Sequence, residues 1–249
     1  MSAKFDTFAA LHIAGDPIVL FNVWDAGSAQ AAERAGAKAI ATGSWSVAAA
    51  HGLSDAEALP IDLALASAAR IVGAVTLPVT IDFEGGYAVD PAAFAANVAK
   101  LAATGAIGCN VEDQVIGGKG IHPVDAQAAR ISAARAAVGP AFFINARTDI
   151  FLQAAPETHD KAKVDAALDR ARAYADAGAS GFFVPGLADL ALLRRVCEAS
   201  PLPVNVMASP GAPSRAAFAE VGVARISHGP FPYRAALASF EEGVKAAMR

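Results

Sequence analysis

The chain predicts an α/β fold, a single (β/α)8 TIM-type barrel of parallel strands, and three observations carry that expectation. Short β-rich apolar runs alternate with longer alanine-rich segments of helical period along the whole sequence. Eight such units fit in 249 residues, about the length this barrel needs. The phrases AGAKAIAT, TGAIGCNVE, AGASGFFVP and VGVARISHG each lead through a glycine into an apolar run, as a helix end followed by a strand would. An open doubly wound sheet needs fewer units. Its nucleotide-binding form carries GxGxxG after the first strand, where this chain has NVWDAGSAQ. No Pro/Ser-rich linker divides the sequence, so one catalytic barrel domain is expected over residues 1–249.

Taken in order, IVLFNV at 18–23 gives the first strand, and the alanine-rich 28–35 the first helix, ended by Gly36. The second unit pairs a strand at 37–42 with a helix at 56–72. The third pairs 79–83 with a helix at 91–103, where Asp90 supplies a cap, Pro91 fits the first turn and Gly105 stands past the end. Strands at 108–112, 142–146, 181–184 and 204–207 precede helices at 125–138, 160–177, 188–198 and 214–220, and Gly178 and Gly222 terminate two of these. A last strand at 224–227 and a helix at 234–247 complete the series.

Composition narrows the function. Hydrophobic residues make up 55% and charged residues 18%, which excludes a disordered chain. Twenty Lys and Arg against 24 Asp and Glu leave a net charge of -4 with no basic block, so no nucleic-acid partner is expected. No apolar run reaches membrane-spanning length, and the first residues lack the pattern of a secretory signal. Cys109 and Cys197 form no CxxC pair, which fits a reducing, cytoplasmic setting, and Cys109 is expected to be a small core residue.

Chemistry in such a barrel lies at the C-terminal strand ends. The sequence delivers Asp25 there, then Gly43 and Ser44, then Asp82 and Glu84, then Glu112 and Asp113, then Asn145, Arg147 and Asp149, then Asn205 and finally His228. Asp82 and Glu84 are two apart, so both face one side if the strand persists, and Glu112 on the next strand can meet them. Converging carboxylates without a Cys/His cluster favour Mg²⁺ or Mn²⁺ over zinc. Each of them alone could equally cap a loop or a helix. Arg147 either holds a substrate carboxylate or makes a structural ion pair with Asp149 or Glu112. Gly43, Ser44 and Trp45 offer backbone N–H groups and a hydroxyl for a carboxylate. The glycine-rich segment 115–122 has the composition of a lid that brings Lys119 or His122 to a substrate, or of an ordinary surface loop.

With these motifs in place, the sequence resembles the isocitrate lyase/phosphoenolpyruvate mutase superfamily, particularly its small bacterial members. The resemblance rests on FNVWDAGSA, ATGSWSVAAAHGLSDAE, PVTIDFEGGY, GCNVEDQ, FFINARTDIF, NVMASPG and VARISHGPFPYRAAL. It implies Asp82 as a direct Mg²⁺ ligand, with Asp55, Glu84 and Glu112 holding coordinated waters. It further implies a carboxylate-binding turn at Gly43, Ser44 and Trp45, a substrate-binding Arg147, and a gating loop at 115–122. Asn205 is added as a substrate contact. The implied activity makes or breaks a C–C or P–C bond beside a pyruvate-like unit.

The departures are informative. Where the lyases carry a catalytic cysteine in this loop, the chain has Gly117-Gly118-Lys119-Gly120, and the lyases' glutamate after strand six falls at Pro185. The expectation is therefore a Mg²⁺-dependent lyase or decarboxylase of a small oxo or hydroxy di-acid, with Lys119, His122 or Tyr87 as candidate proton-transfer groups. P–C bond chemistry and a non-catalytic metabolite-binding relative are the alternatives. The resemblance also implies a homodimer or homotetramer built by exchange of C-terminal helices, although Arg249 follows so soon after the eighth helix that little is expected to remain for exchange.

Overall fold

The computed structural model describes residues 3–249. Eight parallel strands run in the order β1-β8-β7-β6-β5-β4-β3-β2, with helices between them, as a nearly closed (β/α)8 barrel. The strands are β1 (Ile18–Leu20), β2 (Ile40–Ala41), β3 (Val79–Asp82), β4 (Gly108–Glu112), β5 (Phe143–Arg147), β6 (Gly181–Phe183), β7 (Val204–Met207) and β8 (Arg225–Ser227). Between β1 and β2 only a single bridge, Val23 to Thr42, completes the circle. Asn22 reinforces that seam at the barrel mouth. Its amide nitrogen donates to the Thr42 carbonyl at 2.7 Å, and its side-chain oxygen accepts the N–H groups of His228 and Gly229 at 2.7 and 3.0 Å.

The helices are α1 (Ala3–Ala10), α2 (Ala26–Arg34), α3 (Ser44–Ala50), α4 (Ile61–Ala74), α5 (Pro91–Ala103), α6 (Val124–Val138), α7 (Lys161–Asp176), α8 (Leu190–Ala199), α9 (Arg215–Glu220) and α10 (Phe231–Ala247). Sequence periodicity does not predict α1 or α3. The first closes the floor of the barrel: Phe8 is fully buried with Ile18, Leu20, Ala39, Ala41, Ile107 and Phe143, its ring edge-on to Phe143 at 5.1 Å. The second follows β2 immediately, so its first turn stands at the barrel mouth. The helix expected at 56–72 begins only at Ile61, because Ala56 and Glu57 adopt left-handed φ values of 66° and 60° and Pro60 starts the helix.

The eighth helix behaves differently from the expectation. In α10 only Pro232 and Tyr233 are buried, and every residue from Arg234 onward is exposed. Leu237, Phe240, Val244 and Met248 form an exposed apolar stripe at helical spacing. On the barrel, Val19 and Phe21 of the β1 region are also exposed, beside a groove of about 620 Å³ that Leu11, Ile13 and Ala32 help to line. Beyond Tyr233, α10 does not cover this face. Among the described residues no helix is long and apolar enough to cross a membrane.

Phe8 supplies a fully buried aromatic side chain to the barrel floor. Phe8→Ala should therefore lower unfolding free energy by about 3–5 kcal/mol, measured by urea denaturation. A loss below about 1 kcal/mol would show that α1 does not support the barrel.

Candidate active site

β3 ends at Asp82, and the chain then turns sharply. Four non-glycine residues have left-handed φ values, Ala56, Glu57, Glu84 and Tyr87, and all lie in the two loops around this turn. Such conformations are unfavourable for side chains with a Cβ and persist only where surrounding contacts impose them. The contacts are visible. The N–H of Glu57 donates to Glu84 Oε2, the N–H of Tyr87 donates to Glu57 Oε1 at 2.7 Å, and the Tyr87 hydroxyl donates to Glu84 Oε1 at 3.4 Å. Glu57 was not singled out from the sequence; its backbone conformation and its hold on the Glu84 loop are tertiary features.

This turn changes the expected geometry of the carboxylates. The strand stops at Asp82 and Glu84 has φ 51°, so the turn rather than strand alternation sets how the two side chains are placed. Asp82 lines the central cavity at the barrel mouth, and Asp82 and Glu84 together line an adjoining crevice with Ser44, Leu59 and Tyr87. Asp82 accepts the Ser44 N–H on Oδ2 at 3.0 Å, and its own N–H donates to Thr42 Oγ1 at 2.9 Å.

Burial raises the pKa of Asp55, and the charge of Asp82 adds to the effect. Burial likewise pushes Glu84 up to about 7, helped by the charges of Asp55, Asp82 and Glu57 against the opposing hydrogen bond from the Glu57 N–H. Desolvation also pushes Glu112 up to about 8, against the attraction of Arg147.

Parallel pairing places Glu112 of β4 directly beside Arg147 of β5. Arg147 Nη1 lies 2.7 Å from Glu112 Oε2, and Nε and Nη2 donate to the two oxygens of Asp149 at 2.6 and 2.9 Å. Burial alone would lower the pKa of this guanidinium, but the Glu112 and Asp149 carboxylates override it and raise the value. The structural ion pair is thus present, and Arg147 nevertheless lines the cavity. A guanidinium carries five N–H donors, so these three contacts leave donors for a ligand. Asp113 lies behind this layer, accepting from the Asp149 N–H, Arg170 and the Tyr174 hydroxyl. Asp25 caps α2 through a capping box with Ser28, a local structural role.

The cavity measures about 200 Å³. Gly43, Ser44, Trp45, Asp55, Asp82 and Arg147 line it, together with Asn22, Asn110 and Ser227 and an apolar wall of Leu152, Phe183, Pro185, Met207 and Pro230. Several sequence candidates lie elsewhere. Asn205 is buried beneath the cavity, where its oxygen accepts from Ser227 Oγ at 3.3 Å. Lys119 is exposed on the tip of the 115–122 segment, which is folded back on itself by the Gln114–Ile121 bridge and the Val115 N–H to the Gly120 carbonyl. His122 donates its N–H to the Asp113 carbonyl, and its ring does not line the cavity. Tyr87 is on the Glu84 crevice, and His228 lines an outer groove with Phe21. Asn22 and Asn110, which the sequence did not single out, do reach the cavity; their position within strand-end motifs was the available signal.

The donor set fits a hard cation that retains water. Among the described residues no group of three or more His, Cys, Asp or Glu is gathered closely enough to cage a metal directly. Mg²⁺ commonly takes only one or two protein carboxylates and holds the rest of its shell as water. Asp82 at the cavity wall, with Asp55 on the same wall, Glu84 in the adjoining crevice and Glu112 beside Arg147, suits that arrangement; burial raises Asp55 and Glu84, and a cation would relieve the repulsion that adds to it.

Comparison with known proteins finds relatives that align along most of the chain. A family model described as phosphoenolpyruvate phosphomutase matches residues 8–248. The chain is 53% identical to a Burkholderia cenocepacia "putative phosphonomutase" whose crystal structure superposes with a TM-score of 0.95, each chain covered to 98%. It is 37% identical over 231 residues to an uncharacterized Mycobacterium tuberculosis protein, covering 93% of this chain and 84% of the relative. A 2-methylisocitrate lyase of Salmonella typhimurium is 33% identical over 199 residues, which cover 76% of this chain and 64% of that enzyme.

The raised Glu84 pKa has a thermodynamic consequence in metal-free protein. A carboxyl moved from 4.5 to about 7 on folding contributes stability that is complete below its unfolded value and is lost as pH rises through 7. Urea midpoints in chelator should therefore fall between pH 5 and pH 8, and Glu84→Gln should flatten part of that slope. An identical slope in the variant would show that Glu84 does not contribute.

Proposed function

The chain belongs to the phosphoenolpyruvate phosphomutase family, of the isocitrate lyase/phosphoenolpyruvate mutase superfamily, and from that premise we propose a Mg²⁺-dependent carbon–carbon lyase or decarboxylase. Its substrate is a small 2-oxo or 2-hydroxy dicarboxylate that reacts through a pyruvate enolate. The observation that carries this reading is that the Arg147 guanidinium and the Asp55 and Asp82 carboxylates line one small cavity. The guanidinium suits a substrate carboxylate, and the two carboxylates suit a cation.

Arg147, fixed by Glu112 and Asp149, presents its remaining N–H donors at a set angle, so a carboxylate docks without first ordering a flexible side chain. Trp45 lies in the first turn of α3, where backbone N–H groups lack helical partners and attract a second anionic oxygen. Mg²⁺, held by Asp82 with waters on Asp55, Glu84 and Glu112, would supply the positive charge that stabilises an enolate oxygen. The apolar wall of Leu152, Phe183 and Met207 limits water around the reacting carbon.

The choice of reaction turns on proton transfer. A retro-aldol cleavage needs a base for the hydroxyl proton, yet Lys119, His122 and Tyr87 all lie outside the cavity and Pro185 adds no acid to its wall. Cys109 is no substitute, since burial in β4 pushes its thiol up to about 12. Decarboxylation of an oxaloacetate-like acid asks less: loss of CO₂ leaves the enolate and solvent provides the proton. This favours decarboxylation within the lyase class. Closure of the 115–122 segment over the cavity, bringing Lys119 or His122 to the substrate, would restore the retro-aldol route.

A homo-oligomer belongs to the same proposal. The exposed stripe of α10 and the uncovered β1 face are complementary apolar surfaces that one chain does not bring together, and exchange of α10 between copies would bury both. The base of α10 also abuts the site, with the Arg234 guanidinium 4.5 Å from the centre of the Trp45 ring. The proposed setting remains a reducing, cytoplasmic one, with Cys109 and Cys197 both free.

Pyruvate release from a panel of oxaloacetate, hydroxy di-acids and phosphonopyruvate tests the reaction. Turnover should require Mg²⁺ and fall by about 10²-fold or more in Asp82→Ala at an unchanged melting temperature. Oxalate binding without turnover of any substrate would indicate a non-catalytic binder, and phosphate release from phosphonopyruvate alone would indicate P–C cleavage. For assembly, Phe240→Glu should shift the solution mass toward the monomer; a monomeric parent protein would overturn the exchange.

A further inference from the structure

Beneath the cavity, the barrel lumen holds a guanidinium with no carboxylate beside it. Arg225 of β8 is fully buried, and among the described residues it makes no ion pair. Its Nη2 donates to Asn110 Oδ1 at 3.2 Å, while Nε and Nη1 have no partner. Removing an unpaired guanidinium from water is strongly unfavourable, and an apolar side chain of similar volume would serve packing better. The floor beneath it is aromatic: Phe8 lies 6.0 Å below the guanidinium, and buried His12 stacks on Phe143.

What the charge does is visible in the asparagine it meets. β8 and β4 are not neighbours in the sheet, so Arg225 reaches Asn110 through the barrel lumen. Asn145 Nδ2 donates to the same Asn110 oxygen at 2.8 Å. Gly181 on β6 leaves room for this asparagine, since a Cβ there would stand 2.7 Å from Asn145 Oδ1. An arginine has donors only, so the Asn110 oxygen must face Arg225 and the amide nitrogen must face the other way. That nitrogen lies 3.5 Å from Asp82 Oδ1, at the edge of hydrogen-bond range, while the Ser44 N–H holds Oδ2.

We propose that Arg225 is a positioning residue for Asp82: it locks the Asn110 amide with its NH₂ toward the carboxylate, and so fixes the rotation at which Asp82 meets a cation and substrate. The same buried positive charge offsets the carboxylates crowded above it. The inference rests on the metal-site reading of Asp82 given above. Arg225 does not line the cavity, and its side-chain hydrogen bond goes to Asn110.

The test compares the parent protein with Arg225→Met and Arg225→Lys. Arg225→Met, similar in length but without donors, should melt at the same or a higher temperature and yet bind Mg²⁺ about tenfold more weakly by calorimetry, the scale seen when groups behind a metal ligand are removed. Arg225→Lys, which keeps a donor-only cation, should bind close to the parent value. A Met variant that binds Mg²⁺ like the parent, or a Lys variant as weak as Met, would overturn the proposal. If the parent binds no Mg²⁺, the metal reading falls by itself, and the Asn110 side-chain ¹⁵N resonances decide this inference. Two separate, exchange-protected NH₂ protons in parent and Lys that merge or lose protection in Met uphold it. Unchanged resonances in Met overturn it.

Discussion

Crowding of like charge at one end of β3 is the constraint from which the rest of the barrel mouth follows. Asp55, Asp82, Glu57 and Glu84 are gathered around this strand end, partly shielded from water; burial raises the pKa of Asp55, Glu57 and Glu84, and the charge of neighbouring carboxylates adds to it at Asp55 and Glu84. Nothing in local propensity would gather them. They are held by backbone N–H donors, from Ser44 to Asp82, from Glu57 to Glu84 and from Tyr87 to Glu57, and the last two donors belong to left-handed residues that strain the two loops. The strain and the repulsion have the same origin: both are sustained by a rigid β3 and by α3 and α4, which anchor the loops at either side.

A second consequence concerns how the barrel is closed. The β1–β2 seam has one bridge rather than a ladder, and Asn22 joins three strands there through its single side chain. Outside the same seam, the face of β1 lacks the cover that α10 would give. The weakest part of the sheet therefore coincides with the uncovered surface and with Trp45 and Arg234 near the cavity.

Much of this was legible in the sequence, and the part that was not has a clear physical character. Short apolar runs of β-rich composition located every strand to within a few residues, because burial on both faces leaves little freedom in composition. Helices α1 and α3 escaped detection: eight and seven residues are too few for periodicity to show, and both owe their existence to tertiary contacts, Phe8 in the floor and Ser44 on Asp82. The i, i+2 spacing of Asp82 and Glu84 suggested a common side through strand alternation; the two do line one crevice, but through a turn with positive φ at Glu84 that spacing does not reveal. Asn205 lay at a strand end in sequence yet points below the cavity floor, a difference of register across β7 and β8 that no single strand reveals.

Arg147 shows why a structural and a functional role need not be alternatives. An arginine facing a substrate from an exposed loop would lose side-chain entropy on binding and would be screened by solvent. Here the β4–β5 register sets Glu112 beside it, and the strand end sets Asp149 two residues on, so three of its donor directions are already fixed by carboxylates. Those carboxylates also offset burial, which alone would lower the pKa of this guanidinium. Glu112 in turn is drawn between two demands, the ion pair with Arg147 and the charge cluster around Asp82, and burial raises its pKa. A cation above Asp82 would shift Glu112 toward the ionised form and strengthen its bond to Arg147. Under the proposed function, cation binding and the ordering of the Arg147 guanidinium are thereby linked through one carboxylate.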